Sequence, residues 1–292
     1  MKFKGVMPAL VTPLDSDERI NIDALSKLIE HLLSKKADGF YIGGATGEGH
    51  ALRISERKVL AEESIKAIRG RGTSIVQVAC TDFNAAIELA KHAESVGADA
   101  ISATPPIFFA YDENDVFNYY KKLAESVHIP LMVYFSPAAG FNISAKFAAR
   151  MFEIDNVTAI KWTNTNFHQM MQVKELTHGE MNVINGPDEM LLMGLCAGAD
   201  GGIGTTYNFM LENFRGIYDN FIAGDLSKAQ AYQKKAGNII SVLLEYKIIP
   251  AAKALVEAMG IEVGNATFPM QHYTDAEKKE MIEKIKAAGW RC

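Results

Sequence analysis

Four short stretches of the chain carry residue types able to do chemistry together. The first is Thr158-Ala159-Ile160-Lys161-Trp162-Thr163, an apolar run with one lysine near its end. Alternation along an extended chain puts Ala159, Lys161 and Thr163 on one face. An amine among apolar neighbours loses hydration, which disfavours the ammonium form and suits a nucleophile that condenses with a ketone to a Schiff base. The same lysine can instead snorkel, its stem on apolar surface and its head in water. The second is Leu131-Met132-Val133-Tyr134-Phe135-Ser136-Pro137. Tyr134 lies near the end of this run, and its phenol can carry protons to and from a substrate hydroxyl, or sit as an ordinary core tyrosine. The third is Gly43-Gly44-Ala45-Thr46-Gly47-Glu48-Gly49, with four glycines in seven residues. It lacks the Gly-Lys-Ser/Thr of a nucleotide phosphate loop. Its exposed amides make a nest suited to a carboxylate, with the Thr46 hydroxyl beside them, unless it is a plain turn. The fourth is Asn185-Gly186-Pro187-Asp188-Glu189, whose two acids can accept hydrogen bonds from a polyol or serve the first turn of the next helix.

These residues need a frame that brings strand ends together. Eight apolar runs of four to eight residues fit strands buried on both faces: 5–12, 39–44, 74–80, 100–104, 130–135, 158–163, 182–186 and 201–205. Amphipathic stretches such as 21–35, 55–69, 82–96 and 115–127 separate them. A weak repeat, Ala37-Asp38-Gly39, Ala98-Asp99-Ala100 and Ala199-Asp200-Gly201, ends a helix and opens a strand each time. Its outer copies lie 162 residues apart, about 27 residues per unit over six units, which suits a βαβ crossover. The expected fold is α/β, a (β/α)8 TIM barrel, with working residues at the carboxyl ends of the strands. A doubly wound sheet is the alternative, but Thr12-Pro13-Leu14-Asp15 is no phosphate loop. The expected division is a barrel over 1–222 and a packed three-helix extension over 223–292. From about 207 onward the chain is expected to be helical throughout, with helices over 226–244, 250–259 and 274–288.

Composition sets outer limits. The chain has 292 residues, 48% hydrophobic and 22% charged, which fits a large folded core and not a disordered chain. A net charge of −5 argues against nucleic acid. Cys80, Cys196 and Cys292 are too widely spaced for a disulfide framework, so a reducing, cytoplasmic setting is expected. No apolar run is long enough to span a membrane, and the amino terminus reads as a first strand, not a signal peptide. The seven histidines show no metal-ligand spacing, so no metal site is expected, and Schiff-base chemistry at Lys161 would need no cofactor. Met170, Met171, Met190 and Met193 are expected to fill the core.

The glycine loop, the tyrosine of Val133-Tyr134-Phe135-Ser136-Pro137 and the lysine of Ile160-Lys161-Trp162-Thr163 together resemble the Schiff-base aldolases typified by N-acetylneuraminate lyase and dihydrodipicolinate synthase. The resemblance covers nearly the whole chain. It implies a (β/α)8 barrel with a three-helix carboxyl extension, usually a homotetramer. Gly198–Asn208, Gly186–Glu189 and Thr163 resemble the lyase branch. The synthase branch carries an arginine where Ala139 stands. By resemblance, Lys161 forms the imine with a 2-oxo acid and Tyr134 moves the proton of the C4 hydroxyl. Amides at Ala45 and Thr46 hold the carboxylate, and Thr163, Gly186, Asp188, Glu189 and Thr205 line the aldehyde portion. The implied partner is a small 2-oxo sugar acid, and the implied reaction releases pyruvate and N-acetylmannosamine. Departures are Ala45 for a serine, Ile107-Phe108-Phe109 for tyrosines, Thr205 for a serine and a shorter loop at Ala138-Ala139-Gly140. They leave open a sibling aldolase or dehydratase for another 2-keto-3-deoxy sugar acid, or a sensor that binds without turnover.

Overall fold

The computed structural model describes residues 3–136 and 143–291, so the readings at Ala138–Gly140 and Cys292 lie outside the described residues. Eight strands run β1 Gly5–Pro8, β2 Gly39–Ile42, β3 Thr73–Gln77, β4 Ala100–Ala103, β5 Leu131–Phe135, β6 Val157–Trp162, β7 Asn182–Asn185 and β8 Gly201–Gly204. All neighbours pair in parallel, in the order β1-β8-β7-β6-β5-β4-β3-β2. A parallel bridge between Ala9 and Tyr41 joins the two remaining edges, completing the barrel. Helices alternate with the strands: α1 Ile22–Ser34, α2 Ile54–Ile68, α3 Phe83–Ser95, α4 Glu113–Ala124, α5 Ala145–Arg150, α6 Phe167–Leu176, α7 Leu191–Cys196 and α8 Tyr207–Ile222. Then come α9 Leu226–Leu243, α10 Ile248–Ala258 and α11 Asp275–Ala287. No helix among the described residues is long and apolar enough to cross a membrane.

Period-two alternation separates two cores. Outward side chains such as Ile160 and Trp162 join the large layer between sheet and helices. Inward ones, including Met7, Ile75, Ala100, Met132, Ala159, Ile184 and Ile203, fill the barrel interior. Phe3 plugs its base, its N–H donating to Asn182 Oδ1 and its carbonyl accepting from Asn182 Nδ2.

The Ala-Asp repeat has a specific role at that base. Each aspartate precedes a strand and binds the backbone of the strand before it. Asp38 Oδ2 accepts from Val6 N at 2.7 Å, Asp99 Oδ2 from Ser74 N at 2.8 Å and Asp200 Oδ2 from Val183 N at 2.9 Å. In return, each aspartate N–H donates to the carbonyl of the same partner residue. These reciprocal bonds set the stagger between β1 and β2, β3 and β4, and β7 and β8.

Two expectations need correction. The chain after 207 is not helical throughout. Residues 260–273 form neither helix nor regular strand, because Gly260 and Gly264 adopt positive φ and Pro269 follows. Nor are all four methionines core: Met170 is buried, whereas Met171 and Met193 are exposed. They edge an apolar groove between α6, α7 and α9, where helical spacing turned them outward.

Replacing Asp99 with alanine removes acceptors from both Ser74 N and Ser74 Oγ. Hydrogen bonds to a charged group contribute about 1.5–3 kcal/mol. Asp99→Ala is expected to lower unfolding free energy by about that amount in urea titrations; an unchanged midpoint would show that the latch does not hold the strands.

Candidate active site

Strand pairing brings the expected nucleophile and proton carrier together. In the β5–β6 register, Tyr134 lies directly opposite Lys161. Lys161 is buried, and its Nζ stands 3.9 Å from the centre of the Tyr134 ring and 5.4 Å from that of Tyr41. The Nζ also donates a long hydrogen bond of 3.4 Å to Thr163 Oγ1. Among the described residues it forms no ion pair with a carboxylate. Its burial differs from that of a snorkelling lysine with its head in open water.

Burial pushes the Tyr134 phenol upward. The adjacent Lys161 charge and hydrogen bonds with Thr163, Lys161 and Ser136 outweigh that push, leaving it below the ordinary phenol range. Tyr41, which sequence reasoning did not single out, packs edge-on to Tyr134 with ring centres 6.1 Å apart. Its hydroxyl donates to Ser102 Oγ at 3.0 Å, and Ser102 Oγ donates to the Met132 carbonyl at 2.8 Å. The buried Tyr41 therefore acts as a rigid prop. Its inward position follows from alternation along β2, a usable signal.

The glycine loop after β2 forms a compact turn. Glu48 N donates to Ala45 O at 3.1 Å, Gly49 N donates to Gly44 O at 3.1 Å, and Thr12 Oγ1 donates to Gly47 O at 2.6 Å. A Cβ at Gly49 would stand 1.8 Å from Gly43 O, so only glycine fits. The amides of Ala45 and Thr46 donate to no acceptor among the described residues. That leaves two N–H groups open for an anion. The Thr46 hydroxyl is bonded to Thr205 Oγ1 at 2.6 Å, which links the loops after β2 and β8.

A cavity of about 400 Å³ is lined by Thr163, Gly186, Asp188, Glu189 and Thr205 together with Ile240, Leu244 and Ile248. Gly186 permits the approach: a Cβ there would meet Thr163 Oγ1 at 1.9 Å. The two acids divide. Glu189 is exposed. Asp188 is buried, and its Oδ2 accepts from both Thr206 N and Thr206 Oγ1 at 2.7 Å, so this oxygen orients the β8–α8 turn. Both acids lie in a 3₁₀ turn, Asp188–Met190, that leads into α7, as the helix-start alternative anticipated. Ile107, Phe108 and Phe109 stand exposed after β4, with Phe108 at φ +85. Among the described residues, no cluster of three His, Cys, Asp or Glu side chains is placed to hold a metal ion.

Comparison with known proteins agrees with the barrel fold. The dihydrodipicolinate synthetase family model matches residues 2–288. The N-acetylneuraminate lyase of Rhizobium meliloti (strain 1021) is 32% identical over 292 residues, covering 100% of this chain and 97% of the relative. The structure of Proteus mirabilis N-acetylneuraminate lyase superposes with a TM-score of 0.94 at 28% identity, with 100% of both chains covered. A dihydrodipicolinate synthase from Bacillus anthracis superposes with a TM-score of 0.93 at 25% identity, covering 98% of this chain and 99% of that one.

Burial raises the Asp188 carboxyl to about 6, against the pull of its Thr206 hydrogen bonds. In the unfolded chain the group titrates near 3.9, so between these values the folded state binds more protons. Its contribution is complete below pH about 4 and is lost as pH rises through about 6. Denaturant midpoints are expected to fall over that window by the equivalent of a few kcal/mol, and Asp188→Asn should remove that component. An identical pH profile in the variant would refute the assignment.

Proposed function

The chain belongs to the dihydrodipicolinate synthetase family and is a pyruvate-dependent lyase of the aldolase class; on that premise we propose that it cleaves N-acetylneuraminate to pyruvate and N-acetylmannosamine. The observation that carries this reading is the pairing of Lys161 with Tyr134 across β5 and β6, with the amine 3.9 Å from the phenol ring. Family membership as an enzyme retires the sensor alternative.

Lys161 in its neutral form attacks the C2 ketone to give a carbinolamine, which takes up a proton and loses water to leave a protonated imine. The Ala45 and Thr46 amides hold the substrate carboxylate, and the Thr46 hydroxyl, anchored on Thr205, lines the same side. Tyr134 takes the proton of the C4 hydroxyl, for which its lowered pKa suits it. The C3–C4 bond breaks, its electron pair moves into the imine to form an enamine, and the aldehyde departs. Protonation at C3 and addition of water release pyruvate and regenerate the amine. Thr163, Gly186, Asp188, Glu189 and Thr205 line the aldehyde side, with Glu189 the exposed acid able to meet hydroxyls.

The lyase names of the full-length relatives support the sialic acid assignment. A second reading, another 2-keto-3-deoxy sugar acid, is favoured by the missing hydroxyl at Ala45 and by the apolar wall of Ile240, Leu243, Leu244 and Ile248. The kcat/KM for sialic acid against 2-keto-3-deoxygluconate decides between them; a preference for the latter would displace the primary reading. A cytoplasmic homotetramer belongs to the same proposal, and a solution mass near one 32.0 kDa chain would contradict the assembly.

Borohydride with saturating pyruvate is expected to add a stable three-carbon group to Lys161, read by peptide mass. An unmodified peptide would overturn the mechanism, as would turnover by Lys161→Ala. Tyr134→Phe is expected to lower kcat about 10²–10⁴-fold while still forming the adduct. Parental kcat in that variant would remove the phenol from the reaction.

A further inference from the structure

We propose that Lys253 and Glu48 form a positioning clamp through which the C-terminal helices hold the carboxylate-binding loop, and so set how tightly the 2-oxo acid docks. The inference rests on the Schiff-base reading above and assigns a role to two residues that this mechanism does not use.

Lys253 lies on α10 and Glu48 in the loop after β2; both are buried. Lys253 Nζ donates to Glu48 Oε1 at 3.0 Å and to the Asn265 carbonyl at 2.6 Å. Glu48 Oε2 accepts from Thr267 N at 2.5 Å. Both carboxylate oxygens are thus held by the carboxyl-terminal part of the chain, Lys253 from α10 and Thr267 from the irregular segment after it. Desolvation pulls Lys253 below the ordinary lysine range despite the attraction of Glu48.

Such a pair is a poor means of filling space. Apolar residues of similar volume often replace a buried ion pair at no loss, or with a gain, in stability. What the pair supplies is direction. Glu48 sits at φ +58, a left-handed conformation uncommon for a non-glycine residue. Its backbone N–H in turn donates to Ala45 O, closing the turn that contains Thr46. A continuous series of direct bonds therefore runs from Lys253 through Glu48 to Ala45. It ends beside the two amides left open for an anion. Thr12 and Thr205 secure other points of the loop, whereas Lys161 stands on β6 and shares no bond with the clamp.

Releasing the clamp should therefore weaken the hold on the carboxylate and spare the amine. The test measures borohydride trapping rates over a range of pyruvate concentrations for the parent, Lys253→Met and Glu48→Gln/Lys253→Met. The double variant leaves no lone buried charge and so guards against simple unfolding. The pyruvate concentration for half-maximal trapping is expected to rise about tenfold or more, the equivalent of one charge-assisted hydrogen bond. The limiting trapping rate should stay within about twofold of the parent on the same scale. A folded variant with a parental half-maximal concentration would overturn the proposal. Failure of both variants to fold would also overturn it, assigning the pair to the fold alone. If the parent itself forms no adduct, the Schiff-base reading fails separately. Hydrogen exchange of residues 43–49 then decides the clamp: faster exchange in Lys253→Met supports it, and equal exchange refutes it.

Discussion

Placing a lysine amine inside a closed barrel, with aromatic faces for neighbours and no carboxylate bonded to it, imposes a demand on everything around it. Desolvating an ammonium costs several kcal/mol. Ring faces stand at 3.9 and 5.4 Å from it, within reach of cation–π attraction. The site can be held this way only because the scaffold is rigid beneath it. Met132, Ala159 and Ile184 pack the layer under Lys161, and Tyr41 is locked by Ser102 and the Met132 carbonyl. Strand register then determines which side chain faces the amine. A slip of one residue between β5 and β6 would exchange Tyr134 for Val133 or Phe135.

The polar groups of the mouth form a second tier that converts this rigid base into a shaped site. Asn208 joins the ends of two strands: its Nδ2 donates to the carbonyls of Ala9 and Thr205, and its Oδ1 accepts from Val11 N. Asp188 holds Thr206, and Thr46 meets Thr205. Loops contributed by β1, β2, β7 and β8 are thereby bonded to one another, not merely adjacent. Lys161 stands on β6, and the loop after β2 carries two amides without an acceptor among the described residues.

Much of this was legible in the residues. Eight apolar runs separated by amphipathic stretches led directly to the barrel, because strands covered on both faces have no polar side to interrupt them. Alternation put Lys161 on one face with Ala159 and Thr163, and Tyr134 was placed by its position near the end of the preceding run. Other features were hidden for physical reasons. Asp188 looks like a surface ligand in sequence, since its neighbours in the chain do not announce that Thr206, 18 residues later, will occupy its oxygen. The Lys253–Glu48 pair spans 205 residues, a separation at which local periodicity carries no information. The break over 260–273 was marked by Gly260, Gly264 and Pro269, yet no rule of pattern says that such a segment will reach back to the mouth. Met171 follows buried Met170 directly on α6 and so turns away from it, while Met193 stands on α7, and burial depends on which neighbour covers each face.

The three reciprocal aspartate latches all sit at the amino ends of the strands, away from the mouth. Cohesion of the scaffold is thus partly uncoupled from the surface that meets substrate. Changes such as Ala45 or the bare aromatic tip at Phe108 and Phe109 can accumulate at the opposite rim without loosening the stagger of the strands. A barrel built this way can accept changes at its rim while the bonds at its base keep the architecture.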